Sequence, residues 1–428
     1  MRNLWKTSKA HGYLGQGILI YHMTINLPEN VKKIINRLQN AGYEAYAVGG
    51  CVRDSLLGRK PDDWDITTNA RPQEVKKIFK STVDTGIKHG TVTVLFKNDV
   101  GYKSYEVTTY RCDGLYSDGR HPDDVTFVNN LHEDLARRDF TINALAYNDD
   151  AGVVDEFSGI DDLHDKKVRA VGEPKKRFEE DALRMMRAIR FSAQLSFDID
   201  SATYDAIKDL APNLANVSKE RIAIELIKTI TSDNPSYVYL FKKAGLAKYI
   251  TKDFENITEG ELVKTSKKHI AFFSLLYNNN DISSNILYDL KLDMDTIGKV
   301  RKLINEKDKL SSIEDGKLVI KHLSQKTVIK LIIFNLGYEL TRDFINTISF
   351  KYKCDFNDII KMIDSYETRK VPIFLSDLAV DGDWFKSKGL EGKNIGSAMN
   401  FVLEKIWADE ALNNEQNILD ILKTNKLI

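Results

Sequence analysis

Cysteine and proline are scarce, and neither sign of charge prevails. The 428 residues include 3 Cys and 8 Pro, and 62 Lys and Arg offset 62 Asp and Glu. Cys51, Cys112 and Cys354 lie far apart and form no Cys-x-x-Cys pair, which argues against a disulfide framework and a cysteine zinc site and for a reducing compartment. A formal charge of zero excludes a uniformly basic coat for nucleic acid, although a locally basic groove remains compatible with it. No run approaches the roughly 18 apolar residues of a membrane span. Residues 15–21 are too short and too interrupted for the core of a secretion signal, so a cytoplasmic location is expected. Hydrophobic residues at 42% and charged residues at 29% describe a globular chain. Its length suggests two to four domains of roughly 100–200 residues each.

Met23 opens a second plausible start, and residues 1–22 read as an extension. Leu27-Pro28-Glu29-Asn30 reads as the beginning of a helix, and Val31, Ile34, Ile35 and Leu38 continue it as one apolar stripe. Strands are predicted over 43–48, 64–67, 91–96 and 102–110, each rich in β-branched or aromatic residues. Residues 72–79 read as a crossover helix. Strand signals nearly vanish from about 174, and helices are predicted over 178–194, 218–231 and 235–244. The expected fold class is therefore α+β, with an α/β unit over 23–150 and a helical remainder. No internal repeat or low-complexity tract interrupts it.

Chemistry gathers around Asp62-Asp63-Trp64-Asp65, which leads into Ile66-Thr67-Thr68. On a strand, Asp63 and Asp65 would share a face. Two unpaired carboxylates repel unless a cation lies between them, and Mg²⁺ suits one or two carboxylates plus substrate phosphates. Glu106, on another predicted strand, is a third candidate, and such a set could hold two metals for in-line phosphoryl transfer. A solvated acidic turn is the alternative. Upstream, Val48-Gly49-Gly50-Cys51-Val52-Arg53 reads as strand, turn and helix start, where glycines let the backbone approach a phosphate and Arg53 favours an anion. It is neither Gly-x-Gly-x-x-Gly nor a Walker A sequence, so neither a dinucleotide fold nor a P-loop is indicated.

The stretch "VGGCVRDSLLGRKPDDWDITTNARP" resembles the signature of class II polymerase-β-like nucleotidyltransferases, the family of tRNA nucleotidyltransferases and bacterial poly(A) polymerases. "EVTTYR" from Glu106, "DLARRDFTINALAY" from Asp134, "DEFSGIDDL" from Asp155, "EDALRMMRAIRF" from Glu180 and "SKERIAIEL" from Ser218 follow in the family's order and spacing. Together these segments span residues about 40–230. The resemblance implies a nucleotidyltransferase head over 23–150, a helical neck carrying a base template over 151–250, and a helical body and tail over 251–428 that hold tRNA. It implies Asp63 and Asp65 as magnesium ligands, Gly50 and Arg53 on the triphosphate, Arg138 on the nucleotide, and Asn143 in the same cluster. Residues 375–425 resemble the tail of the Gram-positive type. There Gly389, Gly392 and Gly396 with Lys388 and Lys393 suggest a basic turn for RNA phosphates, with a plain solvated turn as the alternative.

Asp181 and Arg184 stand three apart in a strongly helical segment, and an ordinary intrahelical ion pair is one reading. The other explains a selectivity. An ionised Asp only accepts hydrogen bonds and Arg only donates. Cytosine and adenine offer an amino donor beside an unprotonated ring nitrogen, and guanine and uracil offer the reverse. One Asp/Arg pair can therefore hold C and A while rejecting G and U. The resemblance gives this template role to Asp181 and Arg184, and phosphate or nucleotide contacts to Arg187 and Arg190. On a straight helix Arg190 would sit about 180° around from Asp181, away from the base-reading face.

The implied activity is addition of CCA to the 3′ end of tRNA from CTP and ATP, with Mg²⁺ and release of pyrophosphate. A poly(A) polymerase is the nearest rival, disfavoured by the zero net charge and the lack of a basic tail. An enzyme that stops at CC is disfavoured by the intact loop over 112–124, which in this family is tied to the switch from C to A. An inactive RNA-binding homologue would be expected to lose the carboxylates. His164-Asp165 is too isolated for a His-Asp phosphohydrolase, His132-Glu133 lacks a second His, and His89 reads as a turn residue. Residues 155–159 suit a hinge or a plain turn equally.

Overall fold

The computed structural model describes residues 19–21, 23–98, 101–113, 125–314, 317–320 and 323–428. Two compact units divide the chain, Met1–Asn256 and Ile257–Ile428. In the first, short β-branched and aromatic runs build a mixed eight-stranded sheet and a hairpin, and Lys167–Val168 pairs separately with Asp198–Ile199. The strands of the sheet and hairpin are β1 (Leu19–Tyr21), β2 (Ala45–Val48), β3 (Asp65–Thr68), β4 (Thr82–Gly86), β5 (Thr91–Asn98), β6 (Gly101–Thr109), β7 (Arg111–Asp113), β8 (Val125–Phe127), β9 (Leu145–Asn148) and β10 (Gly152–Asp155). The sheet order is β1-β10-β9-β2-β3-β6-β5-β4, and β7 and β8 form a separate hairpin. Within the eight-stranded sheet, among the described residues, only β3 and β6 pair in parallel. The sheet thus runs past the 150/151 division expected from the sequence, and β1, inside the expected extension, pairs with β10 at its edge.

Helix α1 (Glu29–Asn40) buries Val31, Ile34, Ile35 and Leu38, the stripe its sequence predicts, and packs on β2 and β3. Each such burial stabilises by roughly 1.5–3 kcal/mol. Helices α2 (Gly50–Leu56) and α3 (Pro72–Ile78) follow, and α3 carries the chain from β3 across to the far edge strand β4. After α4 (Leu131–Ala136), β9 and β10, the 155–159 segment forms a tied-down turn. The buried Asp155 carboxylate accepts from the backbone N–H groups of Phe157, Gly159 and Ile160 at 3.2, 2.9 and 2.9 Å. Gly159 lies so close to Thr141 that a Cβ would stand 2.3 Å from its carbonyl oxygen.

The helices that follow are α5 (Gly159–His164), α6 (Pro174–Glu180), α7 (Leu183–Leu195), α8 (Ser201–Leu210) and α9 (Lys219–Ile230), with two short ones at Leu240–Lys243 and Ala247–Ile250. Helix α7 buries Met185, Met186, Ala188, Ile189 and Phe191 and packs against α9. The expected single helix over 178–194 is in fact two. Asp181 is extended (φ −143°, ψ 103°), and its side chain caps the second helix by accepting from Leu183 N–H at 3.0 Å. A short acceptor side chain competing for a backbone N–H favours such a break.

The second unit is helical apart from the hairpin Ser312–Glu314/Lys317–Val319. The helix Lys268–Leu276 is buried almost throughout, as an apolar run without a polar face requires. Phe385, Val402, Ile406, Ile418 and Leu422 form the core of its last part. Gly389 (φ +91°) and Gly392 (φ +53°) do form a turn, but Gly396 lies inside the helix Lys393–Ala408 rather than in the turn expected to contain it. Among the described residues no helix is long and apolar enough to cross a membrane.

Candidate active site

The parallel register that matches Ile66 with Val107 sets Asp65, the first residue of β3, beside Glu106 on β6. Ile66 and Val107 are fully buried on one face, so Asp65 and Glu106 share the other. Asp63 lies ahead of the strand in irregular backbone, so strand alternation does not set its position as the sequence suggested. It is nonetheless close enough to act on both neighbours. Partial burial, then the Asp65 and Asp63 charges, push the Glu106 carboxyl above the usual range. Burial also raises Asp65; Arg138 opposes the rise and Asp63 adds to it. All three carboxylates stay open to solvent, and among the described residues none makes an ion pair.

Beside them the chain turns at Gly49, where φ +81° and ψ −131° exclude most side chains. A Cβ there would stand 2.9 Å from Nη1 of Arg138. Arg138 donates from Nη2 to Asp134 at 3.2 Å, and its buried Nε has no partner among the described residues. Asp134, fully buried, also accepts from Arg137 at 3.0 and 2.7 Å and from Thr67 at 3.1 Å. Burial works against its charge, yet the two arginines hold its carboxyl below the usual range.

Arg53, on α2, donates from Nη1 to Asn143 at 2.6 Å and from Nε and Nη2 to Asp54 at 2.9 and 2.8 Å. Asn143 donates to Asp139 at 3.0 Å, and Asp139 accepts two bonds from Arg187 at 2.7 and 2.5 Å. An unbroken chain, Arg53–Asn143–Asp139–Arg187, thus ties the Gly-Gly turn to α7. Burial would raise the Asp139 carboxyl, but Arg187 and Asn143 together hold it well below the usual range. Phe191 lies at the centre of the arginines, with the guanidinium carbons of Arg53, Arg187 and Arg190 at 5.0, 5.4 and 4.0 Å from its ring centroid.

The expected template pair is arranged differently from the sequence reading. Asp181 accepts from Arg221 on α9 at 2.8 Å. Arg184 donates to Glu180 at 2.7 Å and to the carbonyls of Arg177 and Arg137 at 3.1 and 3.0 Å. Because the helix breaks at Asp181, the rotation that set Arg190 opposite Asp181 does not apply. Arg190 instead lies 2.8 Å from the buried Glu225 in a charge contact that is not an aligned hydrogen bond. A cavity of about 590 Å³ brings Gly50, Arg53, Asp63 and Asp65 together with Arg190 and Lys228.

Asp139, Phe191 and Arg221 are the residues that sequence reasoning did not single out. All three stood inside the motifs that carry the family resemblance, with no role of their own assigned, and Phe191 gave no further signal than an apolar helix position. His164 pairs with Asp165 at 2.9 Å on the surface, and His132 pairs with Glu156 and stacks on Phe157 at 5.2 Å. His89 closes a single 3₁₀ turn. Most of the loop tied to the C-to-A switch, 114–124, lies outside the described residues.

Residues 45–169 match the family model "Poly A polymerase head domain", and residues 196–257 match "Probable RNA and SrmB- binding site of polymerase A". The CCA-adding enzyme of Limosilactobacillus reuteri (strain DSM 20016) is 38% identical over 383 residues, covering 88% of this chain and 91% of that one. That of Lactobacillus johnsonii is 36% identical over 427 residues, covering 94% and 99%. The crystal structure of the Bacillus stearothermophilus CCA-adding enzyme in complex with CTP superposes with a TM-score of 0.77 at 29% identity, over 92% of this chain and 97% of that one. The Thermotoga maritima CCA-adding enzyme complexed with tRNA-CCA shares the fold, with a TM-score of 0.62 at 21% identity over 92% and 94%. With the polymerase head matched and relatives aligned over nearly the full chain, this protein belongs to the CCA-adding enzymes, a family of nucleotidyltransferases.

Proposed function

We propose that the chain adds C, C and A in turn to the 3′ end of tRNA, using CTP and ATP and releasing pyrophosphate by in-line transfer. The carboxylate cluster carries this reading: Asp65 and Glu106 share one face with Asp63 close by, beside Arg138 and the Arg53 chain, yet among the described residues no cationic side chain pairs with them. The relatives solved with CTP and with tRNA support both substrate classes. A cytoplasmic location suits a tRNA substrate.

Nucleotidyltransferases of this family generally use divalent metal ions. Asp63 and Asp65 supply two hard oxygen donors open to solvent. Among the described residues no group of three or more acid, histidine or cysteine side chains is placed to hold a metal ion, so an ion at these two carboxylates would draw its other ligands from substrate phosphates and water. Mg²⁺ held by Asp63 and Asp65 would lower the pKa of the attacking hydroxyl and neutralise phosphate charge.

The chain's own groups bind and orient. Arg53 and Arg138 face the phosphates, and Arg187 and Arg190 extend that cationic side. The 3′-oxygen bonds to the α-phosphorus, the bond to the β-phosphate oxygen breaks, and its electron pair leaves with pyrophosphate. Glu106, open to solvent on the face it shares with Asp65, would take the hydroxyl proton. Asp181 and Arg184 read the base. Arg184 spends three of its five N–H donors on Glu180, Arg177 and Arg137, which leaves two for a nucleobase.

Extension of tRNA transcripts ending before CCA, after C and after CC tests the reading, with Mg²⁺ and each triphosphate singly and together. CCA followed by a clean stop is expected. A long A ladder on any RNA would make the chain a poly(A) polymerase, and a halt at CC would make it a partial enzyme.

A further inference from the structure

We infer that Lys228 on α9, with Arg59, holds the β- and γ-phosphates of the incoming nucleotide and the pyrophosphate that departs, in a contact blind to the base. The inference rests on the nucleotidyl transfer proposed above. Its site is the cavity of about 590 Å³ that shares Gly50, Arg53, Asp63 and Asp65 with the reacting centre. Asp181 and Arg184, the base readers, are not among the described residues that line it. The cavity therefore adjoins the reacting centre without including the proposed base readers.

The cations already assigned there are largely engaged. Arg53 directs Nε and Nη2 to Asp54 and Nη1 to Asn143. Arg190 is held against Glu225 and Phe191. Lys228, exposed and lining the same cavity, makes no side-chain hydrogen bond or ion pair among the described residues. Arg59 donates Nη1 to the carbonyl of Gln194 at 3.1 Å and has no carboxylate partner there. Asp62 and Asp233 also line the cavity.

A polyanion needs countercharge most where charge grows, which in this displacement is the oxygen leaving with the β-phosphate. A lysine suits that task as a mobile point charge with three donors. It contacts phosphate oxygens common to CTP and ATP, so it cannot discriminate between them.

The test compares the wild type with Lys228→Ala and Lys228→Arg for KM with CTP and ATP, inhibition by inorganic pyrophosphate, and tRNA binding without nucleotide. Lys228→Ala is expected to raise both KM values and the pyrophosphate inhibition constant by a common factor on the order of tenfold. Lys228→Arg should restore most of the loss, and tRNA affinity should not move. Weaker tRNA binding with unchanged pyrophosphate inhibition would give this lysine to the RNA strand and overturn the inference. Unequal effects on CTP and ATP, or no effect, would overturn it as well. An inactive wild type would instead bring down the proposed function itself, so the two failures are distinguishable.

Discussion

Arg221 on α9 donates to Asp181 at 2.8 Å across 40 residues of sequence, while Arg184, three positions from Asp181, bonds to Glu180 and to backbone carbonyls. The proposed base reader is thus a pair of side chains each fixed by different neighbours, not a pair that fixes itself. Arg221→Ala should leave the helical circular dichroism unchanged but free Asp181 to rotate. Single-nucleotide incorporation should then show kcat/KM for CTP and ATP falling about 10–100-fold while the margin over GTP and UTP narrows. Asp181→Ala should loosen base choice further. An unchanged CTP/ATP preference in both variants would remove the template role.

Asp63→Ala should abolish transfer, by about a thousandfold or more, because metal and substrate phosphates lose a shared ligand. Folding should survive and gain slightly without metal, since a charge that pushes Asp65 and Glu106 up has gone. Thermal melts in chelator, with and without added Mg²⁺, read this directly: the wild type should be stabilised by the ion and the variant barely affected.

Asp139→Asn should cost about 3 kcal/mol in urea unfolding, because it removes the buried charge opposite Arg187 and leaves one acceptor oxygen where Arg187 and Asn143 use two. The pH dependence follows from the depressed carboxyl. A folded pKa below the unfolded value of about 3.9 contributes stability that is fully present above the unfolded pKa and lost as pH falls through the folded one. The gap between wild type and variant should therefore be constant from about pH 5 to 8 and shrink below about pH 4.

Gly49→Ala places a methyl group in a backbone conformation that L-residues avoid and 2.9 Å from Arg138. A loss of about 1–3 kcal/mol in stability is expected. KM for both nucleotides should rise, since Arg138 must move away from Asp65 to make room. Equilibrium unfolding and steady-state kinetics on the same preparation separate the two effects.

How far the sequence reached can be judged from these residues. The α1 stripe and the strands around Ile66 and Val107 were legible because periodicity and β-branching are local properties. Asp63, Asp65 and Glu106 were legible as chemistry, since crowded acids without partners need a reason. The break at Asp181 was not, because Ala, Leu, Met and Arg around it all favour helix and one cap outweighs them. Asp139 was hidden for another reason: its charge makes sense only beside Arg187, and 48 residues separate the two. Phe191 reads as one more core position until the folded chain brings three guanidinium groups to its ring.

That ring has a cost and a use. Arg53, Arg187 and Arg190 hold like charges around one side chain, and burial, with Arg187 and Arg53 adding to it, draws Arg190 down to about 10. Without ligand, the protein carries this repulsion as a standing tension that only its acids, Asp54, Asp139 and Glu225, hold in check. On the proposed function, a polyanion entering the pocket would relax it. Nucleotide is then a missing structural part as well as a reactant, and the pocket should be firmest while it is full and loosest as pyrophosphate departs, which is when the growing tRNA end has to shift for the next addition.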